Sequence, residues 1–109
     1  PVDGGVIIPA CRALVAPVEL ASGKNAYYVG KPNPLMMRHA LKKLGCHRVD
    51  AAIIGDRMDT DIISGLESGM ATVLVLSGAT TLESLKTYGY CPSLVLNGIG
   101  DIVRCAQQA

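Results

Sequence analysis

Ile53-Ile54-Gly55-Asp56-Arg57-Met58-Asp59-Thr60-Asp61 sets three carboxylates within six residues directly after an apolar run. Like charges that close repel one another, a packed core would not tolerate them, and a solvated turn does not need them so concentrated. The pattern predicts a strand, Ala51 to Ile54, that ends in Gly55 at the rim of a sheet and presents carboxylates to something positive. Asp59 or Thr60 is expected to cap the following helix, whose apolar face is Ile62, Ile63 and Leu66 and whose stop is Gly69.

Outward from this stretch, helical and aliphatic segments alternate. Pro9 to about Ser22 reads as a helix, with Pro17 expected to kink it or restart it. Tyr27-Tyr28-Val29 reads as a short strand entering Gly30-Lys31-Pro32-Asn33-Pro34. Asn33 is an N-cap residue, Pro34 suits the first helical position, and Gly45 closes a helix with Leu35, Met36, Ala40, Leu41 and Leu44 on one face. Thr72 to Leu76 is a second aliphatic strand broken by Ser77-Gly78. Residues 81–88 read as a short helix, Ser93 to Leu96 as a further strand, and Gly98 to Ala106 as a final helix. Residues 1–8 read as a turn and a short apolar run. Such alternation predicts an α/β fold, a parallel sheet with helices on both faces, whose ligands lie beyond the carboxyl ends of the strands. Lys31 and Asp56 each follow a predicted strand end and so share one rim.

Composition narrows the class. Half of the 109 residues are hydrophobic and 17% charged, enough apolar content for a core built without Phe or Trp. A net charge of +1 without a basic run excludes nucleic acid and anionic membranes as main partners. No apolar segment has the length of a membrane span. The chain opens on Pro1 rather than methionine, which suggests that its original N-terminus has been removed. Cys11, Cys46, Cys91 and Cys105 show no C-x-x-C spacing and form no zinc pattern with His39 and His47. They are expected to be reduced, mostly buried thiols of a cytoplasmic protein. Both histidines are expected on the surface.

Converging carboxylates at a strand end suit a hard divalent cation, for which magnesium is the expectation. A calcium loop is excluded, because counting from Asp56 or from Asp59 fails its alternation. Asp56, one residue past the strand, is the direct metal candidate. Lys31, held between Gly30 and Pro32, is placed to neutralise phosphate oxygens beside such an ion. Gly98-Ile99-Gly100 lacks the third glycine of a dinucleotide site.

GKPNP (30–34) followed by IIGDRMDTDI (53–62) resembles the third and fourth motifs of the haloacid dehalogenase (HAD) superfamily, nearest to its subfamily IIA phosphatases. GGVIIPACRALVAPVELASGKNAYYVGKPNP resembles the end of that subfamily's cap and its return to the core. Arg12 stands where the family usually has a small residue. The resemblance implies a partial Rossmann-like sheet, with residues 1–26 ending the cap and residues 27–109 forming the C-terminal part of the core. It implies magnesium as cofactor, Asp56 as its direct ligand and Asp61 as an outer-shell carboxylate. Lys31 would be the catalytic and phosphate-binding lysine, with Asn33 beside it as a substrate contact and Asp59 a solvated neighbour. The implied reaction is hydrolysis of a small phosphorylated metabolite through an aspartyl-phosphate.

The first motif, which holds the nucleophile, has no counterpart. Asp3-Gly4-Gly5 is the nearest match, and it lacks a preceding strand and a second aspartate. Ser77 is the only substitute on the rim, without a base. The chain alone is therefore expected to be an inactive C-terminal part of such an enzyme and to form a homo-oligomer. The alternative is a non-catalytic binding or assembly module of the same fold.

Overall fold

The computed structural model describes residues 2–3 and 5–108, so Pro1, Gly4 and Ala109 lie outside it. With them fall parts of the expected opening turn, of the nearest first-motif match and of the proposed cap segment. The chain begins with an antiparallel pair, β1 (Val2–Asp3) and β2 (Val6–Ile7), joined through Gly5 at φ 82°. Helix α1 (Cys11–Ser22) runs unbroken through Pro17 and ends on left-handed Gly23. None of its residues is buried.

Residues 26–33 form no strand among the described residues, contrary to the expectation for Tyr27–Val29. A strand exists only where another strand accepts its backbone, and among the described residues none runs beside this stretch. It is instead pinned by side chains: Glu19 accepts from the Ala26 N–H at 2.6 Å, and Asn33 donates to the Tyr28 carbonyl at 2.8 Å. Gly30 and Asn33 close a tight turn at 2.9 Å around Lys31 and Pro32.

Helix α2 (Pro34–Leu44) forms as its sequence dictates. The Asn33 side chain accepts from the Leu35 N–H at 2.9 Å, Pro34 opens the helix, and Gly45 terminates it at φ 66°. A 3₁₀ turn (Arg48–Asp50) then leads into β3 (Ala52–Gly55).

Strands β3, β4 (Ala71–Val75) and β5 (Leu94–Leu96) make a parallel sheet in that order, with Ile53 beside Thr72, Gly55 beside Leu74 and Leu74 beside Val95. Between β3 and β4 the chain makes one wide π-type turn (Met58–Ile62) and then α3 (Ile63–Ser68). α3 approaches the sheet closely because Gly65 carries no side chain; a Cβ there would collide with Ile53 and Thr72. Short α4 (Leu82–Leu85) is closed by a Thr81–Ser84 capping box, and α5 (Asp101–Gln108) ends the fold.

Met58, Ile62 and Leu74 are fully buried, with Leu85, Tyr88, Tyr90 and Val95 packed around them. Thr72, also fully buried, exchanges hydrogen bonds with Ser93: its N–H donates to Ser93 Oγ at 3.1 Å and Thr72 Oγ1 accepts from the Ser93 N–H at 2.9 Å. β3 is half-exposed, since β4 is its only partner among the described residues. The cysteines are unpaired, as expected, but Cys11, Cys91 and Cys105 are exposed and only Cys46 is partly covered. Their expected burial does not hold, because the elements that carry them present those faces to solvent. His39 and His47 are exposed.

Candidate active site

β3 and β4 are parallel, so Gly55 and Val75 end on one rim, and Asp56 and Gly78 meet there. The Asp56 carboxylate lies over Gly78, where any Cβ would collide with it, and its Oδ2 accepts from the Ala79 N–H at 2.8 Å. Asp56 is tied a second time through its carbonyl, which accepts from the Thr80 N–H at 3.1 Å. Ser77-Gly78-Ala79 is therefore part of the site. Its signal in the sequence was the Ser-Gly break after a strand on the same rim.

The wide turn brings Asp61 back toward the strand. The Arg57 carbonyl accepts from both the Asp61 and Ile62 N–H groups at 3.1 Å, one bond spanning four residues and the other five. π-type turns of this kind are rare and recur at functional sites. The Asp61 side chain packs onto Gly55, where a Cβ would again collide. Its Oδ2 accepts from the Arg57 N–H at 3.2 Å, and its Oδ1 pairs with the Lys31 ammonium. Neither Asp59 nor Thr60 caps a helix. Arg57 is the residue before the turn, and no side-chain cap is made there. The wider turn draws Asp61, not its neighbours, onto the backbone N–H of Arg57.

Asp59 lies outside this arrangement. The Arg57 guanidinium grips it at 3.0 and 2.7 Å and holds its carboxyl below the usual carboxylate range through that hydrogen bond, while the pairing raises Arg57. Lys31 reaches the rim from the coil before α2 rather than from a strand end. Both ends of the Asn33 amide are engaged by backbone, at Leu35 and at Tyr28, so its visible work is to fix the loop that presents Lys31. Ser77 is exposed, and among the described residues its hydroxyl meets no base.

Magnesium is tested by the donors. Both Asp61 oxygens are engaged, by Lys31 and by the Arg57 N–H, which suits an outer carboxylate. One Asp56 oxygen is free of protein donors among the described residues, which suits a direct ligand. No group of three or more His, Cys, Asp or Glu is arranged around an ion among the described residues. The fit is thus to a site these residues share with water, phosphate oxygens or other groups.

A sequence profile described as HAD-hydrolase-like matches residues 28–102, which span the lysine loop, both rim carboxylates and all three parallel strands. The chain belongs to this HAD-hydrolase-like family. Dihydroxyacetone phosphatase of Corynebacterium glutamicum (strain R) is 46% identical over 99 residues, covering 91% of this chain and 36% of that protein. Ribonucleotide monophosphatase NagD of Escherichia coli (strain K12) is 40% identical over 94 residues, covering 86% and 38%. In solved HAD-type structures, NagD from E. coli K-12 superposes with a TM-score of 0.79 at 40% identity, covering 85% of this chain and 37% of that one. The p-nitrophenyl phosphatase from Archaeoglobus fulgidus does so at 0.77 and 35%, covering 90% and 40%. The chain spans little more than a third of the length of these relatives. They are phosphatases by name, in agreement with the subfamily IIA motifs at residues 30–34 and 53–62.

Proposed function

We propose that this chain carries the lysine and metal half of a magnesium-dependent phosphatase site for a small phosphate monoester. The observation that supports it best is the Lys31–Asp61 pair set beside Asp56 at the carboxyl end of β3. In this reading Asp56 is a direct magnesium ligand and Asp61 an outer carboxylate that aligns Lys31. Lys31 places its ammonium on the phosphate oxygens, and Asn33 serves substrate through the loop it fixes. Magnesium, when bound, would neutralise phosphate oxygens and the charge that develops on them. Residues 1–26 belong with the cap and residues 27–109 with the core. The relatives' names, dihydroxyacetone phosphatase and ribonucleotide monophosphatase, favour a small phosphorylated metabolite. The reading includes a cytoplasmic location, which suits four cysteines without a disulfide among the described residues.

The aspartate that would accept the phosphoryl group is not in the chain. The 109 residues alone are therefore expected to leave 4-nitrophenyl phosphate unhydrolysed in magnesium. Manganese titration followed by water relaxation should show weak binding that Asp56→Asn abolishes. Turnover that persists through repeated purification, or binding indifferent to Asp56→Asn, would overturn the assignment. A second reading, a non-catalytic assembly module, is favoured by one observation: α1 leaves Leu14, Val18 and Leu20 at least 65% exposed. Metal binding that survives in Asp56→Asn together with stable self-assembly would select it.

A further inference from the structure

We propose that the groove beside Lys31 favours phosphate esters whose organic part carries a second anionic group, and that Arg12 reads that group. The proposal rests on Lys31 holding the phosphate. The groove, about 790 Å³, runs between the start of α1 and residues 26–33, with Thr60 also on its wall. That volume lies within the range of small-molecule sites. Val15, Tyr27, Tyr28 and their neighbours make its walls largely apolar, and its two charged residues are both cations, Arg12 and Lys31. Among the described residues no carboxylate lines it.

Arg12 sits in the first turn of α1, where the helix dipole disfavours a cation, and that turn contains no acidic residue. Its guanidinium lies 5.8 Å from the centre of the Tyr28 ring. A cation–π contact of this kind draws the guanidinium toward the ring face while its N–H donors stay available. Among the described residues Arg12 makes no hydrogen bond or ion pair to a protein acceptor. An always-charged donor fork in an apolar groove is matched by a carboxylate or phosphate on the ligand. Lys31, already paired with Asp61, would take the ester phosphate, leaving Arg12 for the second charge.

Two probes that differ by one carboxylate test this: phenyl phosphate and 4-carboxyphenyl phosphate, titrated calorimetrically into the 109-residue chain with magnesium present. The carboxylated probe should bind roughly tenfold more tightly, the scale of a hydrogen bond to a charged group. Arg12→Met should erase that preference while leaving phenyl phosphate unchanged, and Arg12→Lys should restore part of it. Arg12 is exposed, and circular dichroism of each variant establishes that α1 is retained. Equal affinities in the wild type, or a preference that survives Arg12→Met, overturn the role of Arg12 and leave the phosphate site standing. If neither probe binds, or if Lys31→Met binds both as the wild type does, the phosphate site is overturned and the groove proposal falls with it.

Discussion

Lys31 and Asp61 are unequal partners: the lysine side chain is 40% exposed and the aspartate only 7%. Replacing Lys31 by methionine leaves a covered carboxylate with one backbone donor, whereas the removed ammonium had water available. An orphaned buried group of this kind costs about 1–3 kcal/mol. Lys31→Met should therefore lower the urea midpoint as well as impair the site, and an unchanged midpoint would show that the pair contributes nothing to folding. Arg57 and Asp59 are the contrast, with both side chains more than 40% exposed. Pairing lowers the Asp59 carboxyl, so its contribution is present above the unfolded carboxylate value and is lost as pH falls through the lower folded one. Exposure limits it to less than about 1 kcal/mol. Asp59→Asn should differ slightly from the wild type at pH 7, less in high salt, and not at all once the pH has fallen below the lowered folded value.

At the level of elements, α2 depends on one residue at its start. Asn33→Ala removes the acceptor for the Leu35 N–H and the donor to the Tyr28 carbonyl together. A loss of about 1–2 kcal/mol is expected in chemical denaturation, along with a looser Lys31 loop. The wide turn is secured by Tyr90, whose hydroxyl donates to the Met58 carbonyl at 2.9 Å and whose ionisation is pushed up, chiefly by burial. A raised tyrosine supports the fold up to its unfolded value near 10 and loses that support as pH rises through the higher folded one. Tyr90→Phe should accordingly flatten the alkaline limb of a stability profile. α2 was legible in the sequence because Asn33, Pro34 and Gly45 each act on their own backbone. The parallel strands were legible because their aliphatic runs do not depend on register. Tyr27–Val29 misled because a strand requires a neighbour, which no local pattern supplies. Asp59 and Thr60 misled because the wide turn brings a later side chain, Asp61, onto the backbone.

The molecule as a whole is more open than its length calls for. Its radius of gyration is 16.2 Å, against about 13 Å for a compact domain of this size. Its 7873 Å² of accessible surface compares with about 5,800 Å² for a folded monomer of equal mass. The excess is larger than the face one partner offers in a standard interface. Exposed apolar side chains on α1, and Ile54 at 42% on the open edge of β3, contribute to it. Such surfaces seek a cover. Light scattering of the chain at high concentration should show a dimer or larger assembly, and a well-behaved monomer would count against this. None of its described helices is long and apolar enough to cross a membrane.

The buried cluster of Met58, Ile62 and Leu74 lies within the short span from β3 to β4, and the rim carboxylates Asp56 and Asp61 lie in that same span. Contacts this local close early in folding and open last. In deuterium exchange the amides of β4 and of the wide turn should be the slowest to label, with α1 and α5 labelling first. The carboxylate rim would then persist through partial openings that release both ends of the chain. Damage to it would register as global unfolding rather than as a local defect.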